Sequence, residues 1–215
     1  MFAAAHATST DPREALRAWL VQKVVDVLHS RCADTFGAVL QMATVSRSDV
    51  IAAFGHDGAL FVAVVRATAD RILAPLSERP TGSSFHPQLI AFARQATEWY
   101  SGPGLSNLYR VAVASEFGAY PVRADFYRQG PARVRDELAR FMSFAKAQGF
   151  GPDMDCRRAA VHFLSLLRTY WDAADASSAN DQAHVDEDLD WMVEVFLYGV
   201  QARSGHAFPS RHAPD

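Results

Sequence analysis

The stretch MATVSRSDVIAAFGHDGALF, residues 42–61, decides the fold of this chain. It contains the end of one short helical pattern, a tight turn, a second short pattern from Ser46, and the start of a longer helix at His56. Ser46 is a natural helix N-cap, and Asp49 three residues later completes a weak capping box. Two short helices joined by a tight turn predict a helix-turn-helix, whose second helix lies in the major groove of DNA.

The residues around this turn have the types that such a motif requires. Apolar side chains before, within and after the turn would hold the two helices together: Val39, Met42, Ala43, Val45, Val50 and Phe54. Arg47 and Ser48 fall at the exposed start of the second helix, where base and phosphate contacts are made. His56 opens a helix whose N-terminus can hold a phosphate, and Ile51 offers at most an apolar contact to a thymine methyl group. The predicted DNA-binding residues are Ser46, Arg47, Ser48, Ile51 and His56.

Helical periodicity also accounts for the rest of the chain, in which strand signals are nearly absent. Asp11 and Pro12 supply an N-cap and a first helical residue for the first helix, and PLSERPTGSSFHP, residues 75–87, predicts a loop. Further helical patterns cover about 87–101, 105–117, 121–148 with a break at QGP, 153–174 and 184–203. We predict an all-α chain with a small N-terminal unit over 11–56, a larger bundle over 57–205 and a disordered tail over 206–215.

Composition sets limits on the class of protein. The chain has 215 residues, 49% of them hydrophobic, and a net charge of -3, so it has no strong overall attraction to nucleic acid or anionic membranes. Cys32 and Cys156 fit neither a zinc nor a redox spacing, and we interpret both as inert packing residues. The N-terminus lacks a basic region followed by an apolar run, and no segment reaches the roughly 20 apolar residues of a membrane span. We therefore expect a cytoplasmic location without membrane contact.

The order of these elements resembles the TetR family of bacterial transcriptional regulators. Members of that family usually show an AGVS turn, a recognition helix ending in Y-x-x-F, and a fourth helix opening with Lys-Glu-x-Leu-Phe. The corresponding segments here are ATVS at 43–46, IAAF at 51–54 and HDGALF at 56–61. Residues 110–167 are similar to the AefR-type subgroup, whose signature is E-x-x-x-x-P followed by F-Y-x-x-G-P-x-R. The resemblance extends from about Arg13 to Arg203.

Four positions depart from the family pattern, all of them near the turn or the recognition helix. Thr44 replaces the turn glycine, and Asp49 replaces a usual threonine. Ile51 replaces the tyrosine that contacts a phosphate in family members, and Asp57 replaces the lysine that opens the fourth helix. Two of these changes place a negative charge where the DNA backbone would lie.

The charge balance of the motif leaves two functional interpretations open. From residue 35 to residue 60 the chain has one basic residue, Arg47, against the acidic Asp49 and Asp57. Because Lys and Arg contacts to phosphates supply most non-specific affinity for DNA, we expect a low affinity per subunit. In the first interpretation, the protein is a ligand-responsive repressor that binds operator DNA as a homodimer. In the second, it keeps the TetR fold, has lost DNA binding, and acts as a ligand sensor or as a partner of another regulator.

The resemblance also implies that the segment 57–205 encloses an effector cavity and dimerises through its last two helices. Its many aromatic side chains would suit a small apolar or aromatic effector, although an aromatic stripe at helical spacing is more often core. Glu116 and His162 each fall on a mainly apolar helix, where they could orient a ligand or be satisfied structural groups. The predicted pocket residues are Trp99, Tyr109, Phe126, His162 and Phe163.

The last helical pattern is apolar on nearly all sides. Leu189, Met192, Val193, Phe196, Leu197 and Val200 form one face, and further apolar residues cover most of the remainder. A helix of this kind is buried on more than one side, which predicts one face for its own core and one for a second subunit. The predicted dimer-interface residues are Phe163, Leu167, Trp191, Val195 and Tyr198.

An enzyme is the rival interpretation from another class of function. His184 and Asp188 lie four residues apart, with Glu187 beside them, but a third ligand at a fixed distance is missing from the pattern. The sequence contains no Gly-rich phosphate loop, G-x-S-x-G elbow or H-E-x-x-H pattern. We therefore predict no catalytic residues, no metal site and no cofactor.

Overall fold

The computed structural model describes residues 11–101, 103–115, 117, 122–151, 155–176 and 182–204. In this part of the chain all regular structure is helical, which confirms the predicted all-α class. The helices are α1 (Pro12–Ser30), α2 (Phe36–Met42), α3 (Arg47–Phe54), α4 (Asp57–Leu73), a short 3-10 turn (Ala74–Leu76), α5 (Phe85–Ser101), α6 (Pro103–Ala114), α7 (Val122–Gln129), α8 (Pro131–Ala147), α9 (Cys156–Ala176) and α10 (Gln182–Ser204).

The helix termini follow local sequence signals closely. The Asp11 carboxylate accepts a hydrogen bond from the Arg13 N–H at 3.0 Å, so it caps α1 as predicted. The predicted break at QGP separates α7 from α8 at Gly130. Helix α5 begins at Phe85, two residues earlier than predicted. Pro87 then lies in the first turn of α5, where a missing N–H costs nothing because it would have no partner within the helix.

No single helix among the described residues is long and apolar enough to cross a membrane. Helix α3 and the segment Asp57–Leu76 are together long and apolar enough, by length and composition only, but they are bent by 76° at the break between them.

Contacts divide the chain into two compact units. The first comprises residues 1–68 and 102–129, and the second comprises residues 69–101 and 130–215. This division differs from the predicted boundary between residues 56 and 57, because the α6–α7 segment belongs to the unit that contains the helix-turn-helix. The predicted tail over 206–215 lies outside the described residues.

A buried asparagine of α6 and a cluster of phenylalanines that includes Phe117, just after α6, explain why this segment belongs to the first unit. Asn107 of α6 is fully buried, and its amide donates to the Leu28 carbonyl at 2.8 Å and to the Arg31 carbonyl at 2.6 Å. These carbonyls lie at the C-terminal end of α1, where carbonyl groups have no partners within the helix. The Phe36 and Phe117 rings lie 5.4 Å and 5.1 Å from Phe61, which closes an aromatic core.

The second unit has its own aromatic core. The Phe163 ring lies 6.2 Å from Phe92 and 4.9 Å from Phe196, so α5, α9 and α10 meet at this residue. On the surface of the same unit, Arg94 of α5 forms ion pairs with Asp186 at 3.1 Å and with Asp190 at 3.3 Å, both on α10. The second unit is therefore joined by an apolar centre and by charge pairs at its edge.

Candidate nucleic-acid interface

The turn between α2 and α3 forms without a glycine. Thr44 adopts a φ of 55°, which lies in the left-handed region that β-branched residues rarely occupy. Its N–H donates to the Gln41 carbonyl at 3.0 Å, and the Val45 N–H donates to the Leu40 carbonyl at 3.0 Å. The backbone thus adopts the tight turn that a helix-turn-helix needs, at the cost of strain at Thr44.

Ser46 caps the start of α3 as predicted, but Asp49 binds the Ser46 hydroxyl and not the Ser46 N–H that a capping box requires. The Ser46 hydroxyl accepts from the Asp49 N–H at 3.1 Å and donates to the Asp49 carboxylate at 2.6 Å. Because its single proton is used there, the contact of 2.8 Å between the Ser46 and Ser48 hydroxyls has Ser48 as the donor. Ser46 therefore orders the first turn of α3, and Asp49 is held against that turn.

Opposite faces of α3 differ sharply in exposure. Val50 and Ala53 are fully buried, whereas Arg47, Ser48 and Ile51 are exposed. The three exposed residues lie within four positions of one another, so they share the N-terminal half of one helix face. This is the arrangement that a recognition helix requires, since the N-terminal side chains of such a helix contact base edges.

The C-terminal end of α3 is fixed by α1. The Arg17 Nε–H donates to the Ala53 carbonyl at 2.8 Å, and its guanidinium carbon lies 5.4 Å from the centre of the Phe54 ring. Gly55 follows with a φ of 84°, and its N–H donates to the Ile51 carbonyl at 2.9 Å. The two ends of α3 are therefore both held by contacts, and these contacts fix the position of its exposed face.

The electrostatics of this face depend on one ion pair. The Arg47 guanidinium lies 3.5 Å from the Asp57 carboxylate, and the two side chains are 80% and 27% exposed. Asp57 stands in the first turn of α4, where the helix dipole stabilises a negative charge. The single cation of the motif therefore has an acidic neighbour within the protein.

His56 caps α4. Its Nδ1 accepts a hydrogen bond from the Ala59 N–H at 3.1 Å, and its carbonyl accepts from the same N–H at 3.1 Å. Because Nδ1 acts as the acceptor, a neutral imidazole carries its proton on Nε2. The exposed ring thus has a donor in addition to its capping role.

The five predicted pocket residues are divided between the two units. Tyr109 and Phe126 pack edge to face at 5.0 Å in the first unit, with Tyr109 exposed and Phe126 buried. Trp99 and Phe163 are buried in the second unit. His162 of that unit is exposed and lines a polar groove instead of an aromatic one. Glu116 lies outside the described residues.

The structure corrects part of the predicted dimer interface. Phe163 and Leu167 have no exposed surface, so they belong to the core of the second unit and cannot contact a partner. Trp191, Val195 and Tyr198 on α10 are 66%, 47% and 77% exposed. Val161 and Leu166 on α9 are also exposed, and the predicted interface did not include them.

The described residues contain no group of three His, Cys, Asp or Glu side chains arranged to hold a metal ion. The side chain of His184 lies outside them. Both cysteines are free thiols. Cys156 is buried, in agreement with a packing role, whereas Cys32 is exposed, so that interpretation was wrong for Cys32.

The fold and the exposed face of α3 define an all-α helix-turn-helix protein with a C-terminal helical bundle. The sequence profile of the AefR-like transcriptional repressor C-terminal domain matches residues 87–199, which is more than half of the chain. The chain therefore belongs to the TetR family of transcriptional regulators, and its C-terminal part is of the AefR-like kind.

Several solved structures share this fold. The flavonoid-responsive regulator FrrA is 23% identical, with a TM-score of 0.59 over 88% of this chain and 99% of that chain. A TetR-family regulator from Mesorhizobium loti is 20% identical, with a TM-score of 0.62 over 88% and 98% of the two chains. A transcriptional regulator from Pseudomonas aeruginosa PAO1 is 18% identical, with a TM-score of 0.58 over 92% and 95%. No curated protein sequence matches the chain.

Proposed function

We propose that this protein is a ligand-responsive repressor that binds operator DNA as a homodimer. The observation that carries the proposal is the exposed N-terminal half of α3, where Arg47, Ser48 and Ile51 face solvent on a helix whose other face is buried. In this arrangement Arg47 and Ser48 contact bases or phosphates, and Ile51 packs against a thymine methyl group. The Nε2–H of His56 donates to a backbone phosphate.

The Arg47–Asp57 ion pair sets the strength of this contact. An exposed pair is worth at most about 1 kcal/mol, so a phosphate can replace Asp57 as the partner of Arg47. The dipole of α4 still stabilises the Asp57 charge when Arg47 pairs with a phosphate instead. It nevertheless repels the DNA backbone, and we propose that binding is therefore weak per subunit with few phosphate contacts.

A homodimer supplies the second recognition helix that such weak binding requires. The exposed Trp191, Val195 and Tyr198 follow one another along α10 at spacings of four and three residues, so they form one continuous apolar face. Exposed aromatic residues in a contiguous patch are typical of protein interfaces. We propose that this face, together with the exposed Leu166 of α9, contacts a second copy of the chain.

Effector binding would regulate the protein by a population shift. We propose that a small apolar or aromatic effector binds the C-terminal helical domain and favours a conformation in which the spacing of the two recognition helices no longer fits the operator. Because a repressor acts where operator DNA is, we propose that the protein acts in the cytoplasm.

Fluorescence anisotropy with DNA from upstream of the coding region tests the proposal. The titration is run beside scrambled DNA, over a salt series beginning at about 50 mM. Saturable binding that prefers the upstream DNA and has a shallow salt slope is the expected result. A folded protein that binds neither DNA at the lowest salt would contradict DNA reading and favour a sensor or partner protein with the same fold.

Two substitutions at the Arg47–Asp57 ion pair test whether α3 contacts the DNA. Arg47→Ala should weaken binding to the upstream DNA about ten-fold or more, because each subunit loses a charged contact. Asp57→Lys should strengthen binding and steepen the salt slope by about one phosphate per subunit. Arg140→Ala is the matched control, since Arg140 is an exposed arginine of the second unit. If all three variants bind as the wild type does, α3 is not at the DNA.

A further inference from the structure

An open groove lies along α8 and α9 of the second unit. Its volume is about 580 Å³, which falls within the range of small-molecule sites. The groove is lined by Arg135, Asp136, Arg157, Arg158, Val161 and His162. Three guanidinium groups and an imidazole thus line one groove with a single carboxylate.

The carboxylates near this groove are only partly matched to its cations. Arg135 donates through Nε and Nη2 to its neighbour Asp136, at 3.0 Å and 2.8 Å. The Arg158–Asp155 pair is long, at 3.9 Å, and both side chains are exposed, so it contributes little. Asp155 is also occupied as the cap of α9, since its carboxylate accepts from the Arg157 N–H at 2.9 Å. Among the described residues, the Arg157 guanidinium has no ion-pair partner.

The charge count shows what the groove would favour. Three arginines and the two aspartates Asp136 and Asp155 leave one net positive charge, before any contribution from His162. Guanidinium groups are planar forks that bind carboxylates or phosphates through two parallel hydrogen bonds. Like charges held along one groove repel each other, and a ligand with several anionic groups would relieve that repulsion. A ligand with a single anionic group could meet the cations of α8 or those of α9, but not both.

We propose that this groove binds a small polyanion, a molecule with two or more carboxylate or phosphate groups. Arg157 and Arg158 on α9 hold one anionic group, and Arg135 on α8 holds another, with Val161 against the carbon frame. The ligand thereby bridges α8 and α9. The site belongs to the second unit alone and does not depend on the proposed reading of DNA.

Isothermal titration of the full chain, without DNA, tests this site. Citrate and pyrophosphate are the polyanions, and acetate is the singly charged comparison. We expect one saturable site per chain for citrate or pyrophosphate and no saturation by acetate, and the stronger of the two polyanions identifies the class of ligand. The bound polyanion should also raise the midpoint of thermal unfolding, since a ligand that binds only the native state stabilises it.

Substitutions locate the site. Arg157→Gln/Arg158→Gln should weaken binding of the preferred polyanion about ten-fold or more, because hydrogen bonds between charged groups are lost. Arg140→Gln removes one exposed charge from α8, outside the groove lining. This variant should change the affinity less than two-fold. Because these side chains are exposed, both variants should unfold at the temperature of the unliganded wild type.

Three outcomes would overturn the proposal. The first is no saturable binding of either polyanion by the folded wild type, and the second is an equal loss of affinity in the double variant and in Arg140→Gln. The third is binding of acetate as strong as that of citrate and pyrophosphate. None of these outcomes bears on the anisotropy experiment, so the two proposals fail separately.

Discussion

Thr44 is held in a strained backbone conformation by the turn around it. A left-handed conformation costs a residue with a Cβ about 1–2 kcal/mol, and Thr44 is β-branched. Its N–H is nevertheless bound to the Gln41 carbonyl, and its side chain is exposed, so the surrounding turn keeps it in place. The strain is therefore local to this residue.

Thr44→Gly should raise the free energy of unfolding by about 0.5–1 kcal/mol, since glycine removes the strain but increases the entropy of the unfolded chain. Urea denaturation followed by circular dichroism measures the change. The matched control is Ala43→Gly, because Ala43 has a φ of -75° and gains nothing from glycine. Ala43→Gly should lower the free energy of unfolding by about 0.5–1 kcal/mol. A loss of stability in both variants would mean that Thr44 is not strained.

At the same scale, residue type alone did not identify burial. Phe163, Leu167 and Trp191 are all large apolar residues on helices, and each was predicted at the dimer interface. The structure buries the first two completely and leaves 66% of Trp191 exposed. The difference arises because Phe163 faces Phe92 and Phe196 within its own unit, and those partners lie far away in the sequence.

Among the elements, helix ends were predicted better than helix faces. The caps of α1 at Asp11 and of α3 at Ser46 lie within three residues of the groups they bind, so the sequence contained both partners of each bond. The last helix, α10, was predicted to be apolar on more than one side, but the sequence did not show which side a helix of the same chain covers. Burial of a helix face depends on its neighbours and not on its own periodicity.

The exposed face of α10 leads to a prediction about assembly. Trp191→Ala/Tyr198→Ala should weaken self-association at least about ten-fold, because aromatic anchors at an interface centre each contribute about 2 kcal/mol or more. Sedimentation velocity over a concentration series measures the change. Trp19→Ala is the control, since Trp19 is an exposed tryptophan of α1 in the first unit and should leave association unchanged. If the double variant associates as the wild type does, another surface holds the dimer.

At the scale of the whole molecule, Asn107 joins α6 to the end of α1 within the first unit. This residue of α6 binds the end of α1, 76 and 79 positions away in the sequence. Asn107 is fully buried and Leu28 is 1% exposed, so water cannot replace the amide at the Leu28 carbonyl. The predicted boundary did not include α6 in the first unit, where a buried polar contact joins apolar packing in holding it.

Asn107→Leu should lower the free energy of unfolding by about 2 kcal/mol or more, because two carbonyls lose their donor and the fully buried site must also accept a larger side chain. Urea denaturation with far-ultraviolet circular dichroism measures the loss. Ser106→Ala, at the exposed neighbouring position, should change stability by less than about 0.5 kcal/mol. Equal stabilities of the two variants would show that α6 is held by its apolar contacts alone.

The sequence by itself determined the all-α class, most helix boundaries and the helix-turn-helix, together with the exposed residues that begin α3. These features depend on caps, turns and apolar spacing, which act between residues within about four positions of each other. Only the tertiary structure decided that α6 joins the first unit, that Arg47 pairs with Asp57, and that His162 lines a cationic groove. These features depend on contacts between elements distant in the chain or on side-chain placement at helix junctions, and local periodicity carries no information about either.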